Sequence, residues 1–139
     1  SLLDPMMRLN FYNLSCPCTF IQYAALTALA EDDAPSRAMV KEYEKRRDYM
    51  TEALNSLPGC SCLRPDGAFY IFVNISKTGM SGDEFCKVMI DEAGVSMTPG
   101  HVFGSMGHDF VRVSYANSMD NLKLAVERMR GILNARVPA

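Results

Sequence analysis

Apolar residues recur along this chain with two distinct periods. From Phe20 to Ala30 they fall at Ile21, Ala24, Ala25, Ala28 and Leu29, the spacing of one helical face. Thr19 suits the N-cap of that helix, and Pro17 keeps Cys16 out of helical geometry. The run EDDAPS breaks it. A second helix, capped by Ser36 and reaching Leu57, turns Val40, Tyr43, Met50, Leu54 and Leu57 inward. Its other face, KEYEKRRD, pairs charges three and four residues apart and reads as a solvated surface.

After Pro58 and Gly59 the period changes. CSCLRP reads as a short strand, DG as a turn, and AFYIFVNI as a buried strand paired with the first in a hairpin. SGDE at 81–84 has the form of a capping box, and the helix behind it carries Phe85, Val88, Met89 and Ala93 before Gly94 closes it. VSM is a short strand, followed by the glycine-rich loop TPGHVFGSMGHD. In DFVRVSYA the residues Val111, Val113 and Tyr115 alternate with Phe110, Arg112 and Ser114, the pattern of a strand with two unlike faces. Ser118 then caps a last helix whose inner face is Leu122, Ala125, Val126, Met129, Ile132 and Leu133. The order helix, helix, strand, strand, helix, strand, strand, helix predicts an α+β domain: a small mixed or antiparallel sheet with helices packed on one face.

Composition narrows the function classes. The 139 residues are 48% hydrophobic and 22% charged, with a formal charge of −2, as in an ordinary globular domain. Neither sign of charge dominates, so nucleic acid and anionic membrane are poor partners. No apolar run is long enough to span a bilayer and no secretory signal opens the chain, which points to the cytoplasm. The opening SLLDPMM, without an initiator methionine, reads as the middle of a longer chain. Cys16/Cys18 and Cys60/Cys62 are spaced too closely for a structural zinc site, and His101 and His108 fit no zinc-finger pattern; the five cysteines are expected to be reduced, mostly buried thiols, with no metal bound. The ten methionines are expected to fill the core.

Arg112 is the candidate for chemistry. If its face of the strand meets water, it is a solvated or salt-bridged arginine. If that face lines a cleft, its guanidinium is a fork shaped for a carboxylate or phosphate.

Five segments then line up in order. MMRLNFYNLSCPCTFIQYAALTAL resembles the Cys/Ser-Pro-Thr-x-x-Gln junction of class I/II aminotransferases, and EYEKRRDYMTEALNSLPG the long helix of their small domain. PDGAFYIFVNI is similar to their Pro-x-Gly-Ala-Phe-Tyr strand, GVSMTPGHVFG to their Pro-Gly-x-x-Phe-Gly loop, and FVRVSYANSMDNLKLAVERM to their final arginine-bearing strand and helix. The resemblance covers nearly the whole chain. It identifies the family as pyridoxal 5'-phosphate (PLP) enzymes of the aspartate-aminotransferase fold.

The resemblance implies that residues 34–139 are the small C-terminal domain and residues 1–33 a remnant of the junction with the large domain, carrying one helix. It implies that Arg112 grips the substrate α-carboxylate, orienting Cα so that its proton can leave. Phe69 would lie near the substrate or, alternatively, serve only as strand core. Gly67 would serve the turn; the loop would border the active-site mouth, with Gly100 and Gly104 allowing close approach and no catalytic role for His101. No role transfers to Arg8 or Asn10. The Schiff-base lysine, the aspartate on the pyridine nitrogen and the phosphate cup belong to the family's large domain. Lys41, Lys45, Lys77, Lys87 and Lys123 stand in no matching motif. The parent is therefore expected to transfer an amino group between an α-amino acid and a 2-oxo acid as a homodimer, with this chain alone inactive, holding no cofactor or catalytic residue, and self-associating through Met6, Met7, Phe11 and Phe20. Other PLP chemistries share the fold. The alternative is a stand-alone module that binds a metabolite or a protein without catalysis.

Overall fold

Of the four expected N-caps, Ser81 and Ser118 cap their helices, whereas Thr19 and Ser36 lie inside theirs. The computed structural model describes residues 2–31 and 33–137. Ser1, at the chain's opening, and Asp32, in the EDDAPS break, lie outside them. Two compact units divide between Arg37 and Ala38. The first contains α1 (Leu3–Leu14), α2 (Thr19–Ala30) and the start of α3 (Ala34–Asn55). Residues 1–33 thus hold two helices rather than one. Pro5 does not prevent α1, because it sits in the first turn, where its missing N–H has no helical partner. Helix α2 begins at Thr19 itself; Cys18 is the N-cap, its carbonyl accepting from Ile21 and Gln22 at 3.0 and 3.2 Å, while the Gln22 amide donates to the Pro17 carbonyl at 2.9 Å. Ser36 lies inside α3 rather than capping it. Neither α1 nor α2 buries a residue within the unit: Met6, Met7, Phe11 and Phe20 are all exposed.

The second unit places β1 (Ser61–Cys62), β2 (Tyr70–Asn74), β3 (Thr98–Pro99) and β4 (Phe110–Ser114) in one antiparallel sheet of order β1-β2-β4-β3. Ile71 and Val73 of β2 and Val111 and Val113 of β4 share one face, and all four are buried. On that face lie Met50 and Leu54 of α3, Phe85 of α4 (Gly82–Val88), and Leu122, Val126, Met129 and Leu133 of α5 (Met119–Arg136) in one core cluster. Full burial of Phe85 alone contributes roughly 1.5–3 kcal/mol. Ser81 accepts from the Glu84 N–H and Ser118 from the Asn121 N–H, as the capping patterns require. Helix α4 runs on through a π-turn, Met89–Ala93, to Gly94 at φ 65°. Val40, expected inside, is exposed, because α3 touches the core only from Tyr43 onward. The methionines divide: Met50, Met89 and Met129 are buried, whereas Met6, Met7, Met39 and Met106 are exposed. The strand expected at 95–97 forms instead at Thr98–Pro99, where Thr98 pairs with Arg112; Pro99 lacks the N–H needed to extend the ladder.

Beside β2, Ala68 rather than Gly67 takes the left-handed backbone, at φ 61°. The fold holds it there. The buried Tyr115 donates its hydroxyl to the Ala68 carbonyl at 2.8 Å, and its N–H donates to the Phe69 carbonyl at 2.9 Å. Replacing Tyr115 by phenylalanine should lower stability by about 0.5–1.5 kcal/mol, the net value of one such bond, in urea denaturation. An unchanged midpoint would show that the hydroxyl does not hold the turn.

Asp48 joins α3 to the segment after β1. One of its oxygens accepts from Arg64 at 2.8 Å and from Arg47 at 2.9 Å. Those bonds, Arg64 first, lower its carboxyl from 3.8 to about 2. A carboxyl depressed by folding stabilises the native state above its unfolded value. That contribution should fade as pH falls from about 4 toward 2, and Asp48→Asn should abolish this part of the pH dependence in denaturation series. Parallel pH profiles for the two proteins would sink the idea.

Candidate functional site

The sheet face opposite the core carries Tyr70 and Phe72 of β2 and Phe110 and Arg112 of β4, because strand alternation puts every second residue there. The register sets Phe72 opposite Arg112 on one side and Thr98 opposite it on the other. The half-buried guanidinium leans to the diagonal neighbour, with Cζ 4.1 Å from the centre of the Tyr70 ring and 4.6 Å from that of Phe103. Such diagonal pairs are within reach of long side chains. Its Nη2 donates to the Thr98 hydroxyl at 3.5 Å, a long contact. Arg47, Arg64 and Arg136 each hold a carboxylate; among the described residues Arg112 holds none. Among the described residues Arg112 is thus not salt-bridged: its guanidinium rests on aromatic rings on the open sheet face with its donors largely unspent, an arrangement that suits a solvated arginine as well as a fork for a carboxylate or phosphate.

Phe103 comes from the loop between β3 and β4. Gly100–Phe103 and Ser105–Gly107 form two 3-10 turns, joined by Gly104 at φ 141°. Gly100 and Gly107 close the base: a Cβ on Gly107 would stand 2.1 Å from the Gly100 carbonyl oxygen, and one on Gly100 would stand 2.5 Å from that of Gly107. Close approach therefore needs Gly100 and Gly107, whereas Gly104 serves its backbone angle in open space. Phe72 meets Phe103 edge-on, centroids 5.5 Å apart at 73°. Beside them an open, apolar groove of about 620 Å³ is lined by Phe72, Phe103, Met106 and Phe110 with the loop glycines.

Phe69 precedes β2 and stands 39% exposed, its ring 4.4 Å from Tyr70 and 6.2 Å from Tyr43. Tyr70 thus touches both Phe69 and Arg112. Sequence reasoning missed Tyr70 and Phe103 as neighbours of the arginine. Alternation could have found Tyr70, since it shares parity with Phe72; nothing local points to Phe103. His101 lies 3.5 Å from Asp83 and stacks on His108 at 5.9 Å.

All five lysines are exposed, and Lys87 is bonded to Asp91 at 2.6 Å, which raises its pKa and opposes the neutral amine an imine needs. Burial pushes the Cys60 and Cys86 thiols up to about 11, so both are protonated at neutral pH. Cys16 and Cys18 are exposed, contrary to the expectation of mostly buried thiols. Among the described residues no three metal-binding side chains cluster, and no helix is long and apolar enough to cross a membrane.

Comparison with known proteins gives consistent matches. The family profile described as aminotransferase class I and II matches residues 2–129. The chain is 42% identical over 137 residues to an aromatic-amino-acid aminotransferase 2 of Thermococcus litoralis, covering 97% of this chain and 35% of that protein. An aspartate aminotransferase of Pyrococcus abyssi is 39% identical with the same coverage. The crystal structure of an aromatic aminotransferase from Pyrococcus horikoshii superposes with a TM-score of 0.88 at 41% identity, over 96% of this chain and 36% of that one. The chain spans about a third of the length of these relatives.

Proposed function

Since this chain belongs to the class I and II aminotransferases, we propose that it is the C-terminal small domain of a PLP-dependent enzyme that moves an amino group between an α-amino acid and a 2-oxo acid. Arg112 supplies the grip on the α-carboxylate. The observation that carries this reading is a half-buried guanidinium on the open sheet face, resting on Tyr70 and Phe103 without a carboxylate of its own. A bidentate pair would fix the direction of the substrate as well as its charge, and so place Cα. Phe69, one ring removed through Tyr70, would border the substrate.

PLP supplies the electron sink of the reaction. In this reading the imine-forming lysine and the phosphate contacts come from parts of the parent outside this chain. The exposure of all five lysines and the one-third coverage of the relatives support that division. The family resemblance supports a cytoplasmic homodimer for the parent. The relatives' names span aromatic and aspartate substrates and do not choose between them.

The test is a titration of this chain with PLP, borohydride reduction, and mass mapping of any pyridoxyl-lysine. No stoichiometric adduct is expected. One fully occupied lysine would mean that the chain builds its own cofactor site, and the division of labour would fall.

A further inference from the structure

An arginine that must receive a carboxylate has a problem before the substrate arrives. Its long side chain has many rotamers, and freezing them on binding costs conformational entropy. Prior fixation removes that cost, provided the fixing groups leave the N–H donors unspent. A carboxylate partner would fix the side chain and consume the fork. Aromatic rings fix it through the cation–π attraction and offer no lone pair to the N–H edges.

Both rings against Arg112 are of this kind, but they come from different places. Tyr70 belongs to the sheet, diagonal to Arg112 across the β2–β4 ladder. Phe103 belongs to the loop, nine residues before Arg112 in the chain, and reaches it only because of how that loop is built. The Gly100–Gly107 approach closes the loop's base, two 3-10 turns shape its rim, and Phe72 braces the Phe103 ring edge-on. The loop therefore delivers a ring to the arginine.

We infer that Phe103 is a positioning residue for Arg112: the glycine-pinched loop holds its ring against the guanidinium, setting the fork for an α-carboxylate. The inference rests on the carboxylate reading proposed above. Phe103 acts through Arg112 and need not touch the substrate.

The test uses the full-length protein carrying Phe103→Leu, which keeps an apolar side chain but loses the ring, and Phe103→Tyr, which keeps the ring. Phe103→Leu should raise KM for both the amino acid and the 2-oxo acid roughly 5- to 30-fold, as the rotamer-freezing cost returns to the binding step, with kcat little changed. Single-turnover reaction with the corresponding amine, which lacks the carboxylate, should be unaffected. Phe103→Tyr should restore the amino-acid KM. Wild-type KM in Phe103→Leu, or equal losses for amino acid and amine, would overturn the inference.

A second readout separates this from a failure of the carboxylate reading. In NMR spectra of the present chain the Arg112 δ-methylene protons should be shifted upfield by the rings. They should move toward the random-coil position in Phe103→Leu and stay shifted in Phe103→Tyr. No change in Phe103→Leu would refute the contact itself. Should Arg112→Lys in the full-length protein keep a wild-type KM, the carboxylate reading fails, and with it the role assigned to the contact, whatever the NMR spectra show.

Discussion

If Arg112 grips the α-carboxylate as proposed, Arg112→Lys in the parent enzyme is expected to lower kcat/KM for the amino acid roughly 10- to 150-fold, the factor for losing one charge-assisted hydrogen bond of 1.5–3 kcal/mol. Lysine keeps the positive charge. It loses the planar fork that can donate two parallel bonds to one carboxylate, so the substrate is held without a fixed orientation. Steady-state kinetics with amino acid and 2-oxo acid would measure the loss, which on the proposed reading should appear in both half-reactions, since both of the proposed substrates present a carboxylate. Stability should change little, since Arg112 lies on the open face and forms no ion pair among the described residues. An unchanged kcat/KM would remove the arginine from the binding site.

Gly107→Ala is expected to destabilise the β3–β4 loop by about 1–3 kcal/mol or more, the usual range for overpacking. The added Cβ would meet backbone, the Gly100 carbonyl at 2.1 Å, so no side-chain rotation relieves it and the chain must part. Gly131→Ala is the control. It lies inside α5 with nothing within 4 Å of its would-be Cβ, and alanine there should stabilise by about 1 kcal/mol through helix propensity. Urea denaturation of both variants measures the difference. Gly107→Ala should also loosen Phe103 from Arg112, because the pinch closes the loop that carries it. Wild-type stability in Gly107→Ala would show that the two turns do not meet as described.

Much of the architecture is local chemistry written along the chain. Ser81 and Ser118 cap their helices because a hydroxyl three residues ahead of a free N–H can reach it in one turn. Gly94 ends the π-turn because its φ of 65° costs a glycine little. The alternation of Val111 and Val113 with Phe110 and Arg112 divides β4 into a core face and an open face without reference to any partner strand. Two local signals erred. Val40 continues an apolar stripe but lies before α3 reaches the core, and Ala34 starts that helix ahead of the serine that looked like its cap.

Side-chain period and capping depend on neighbours a few positions away, so most faces of the helices and strands are legible along the chain. They put Arg112 on the face of β4 opposite Val111 and Val113. What that arginine touches is set by long-range packing. Tyr70 reaches it through the β2–β4 register, and Phe103 through a loop whose path depends on Gly100 and Gly107 meeting seven residues apart. The left-handed backbone at Ala68 likewise depends on Tyr115, far along the chain, donating to its carbonyl. Contacts of this kind depend on strands and loops brought together by the whole core, and no short window of sequence contains both partners and the path between them.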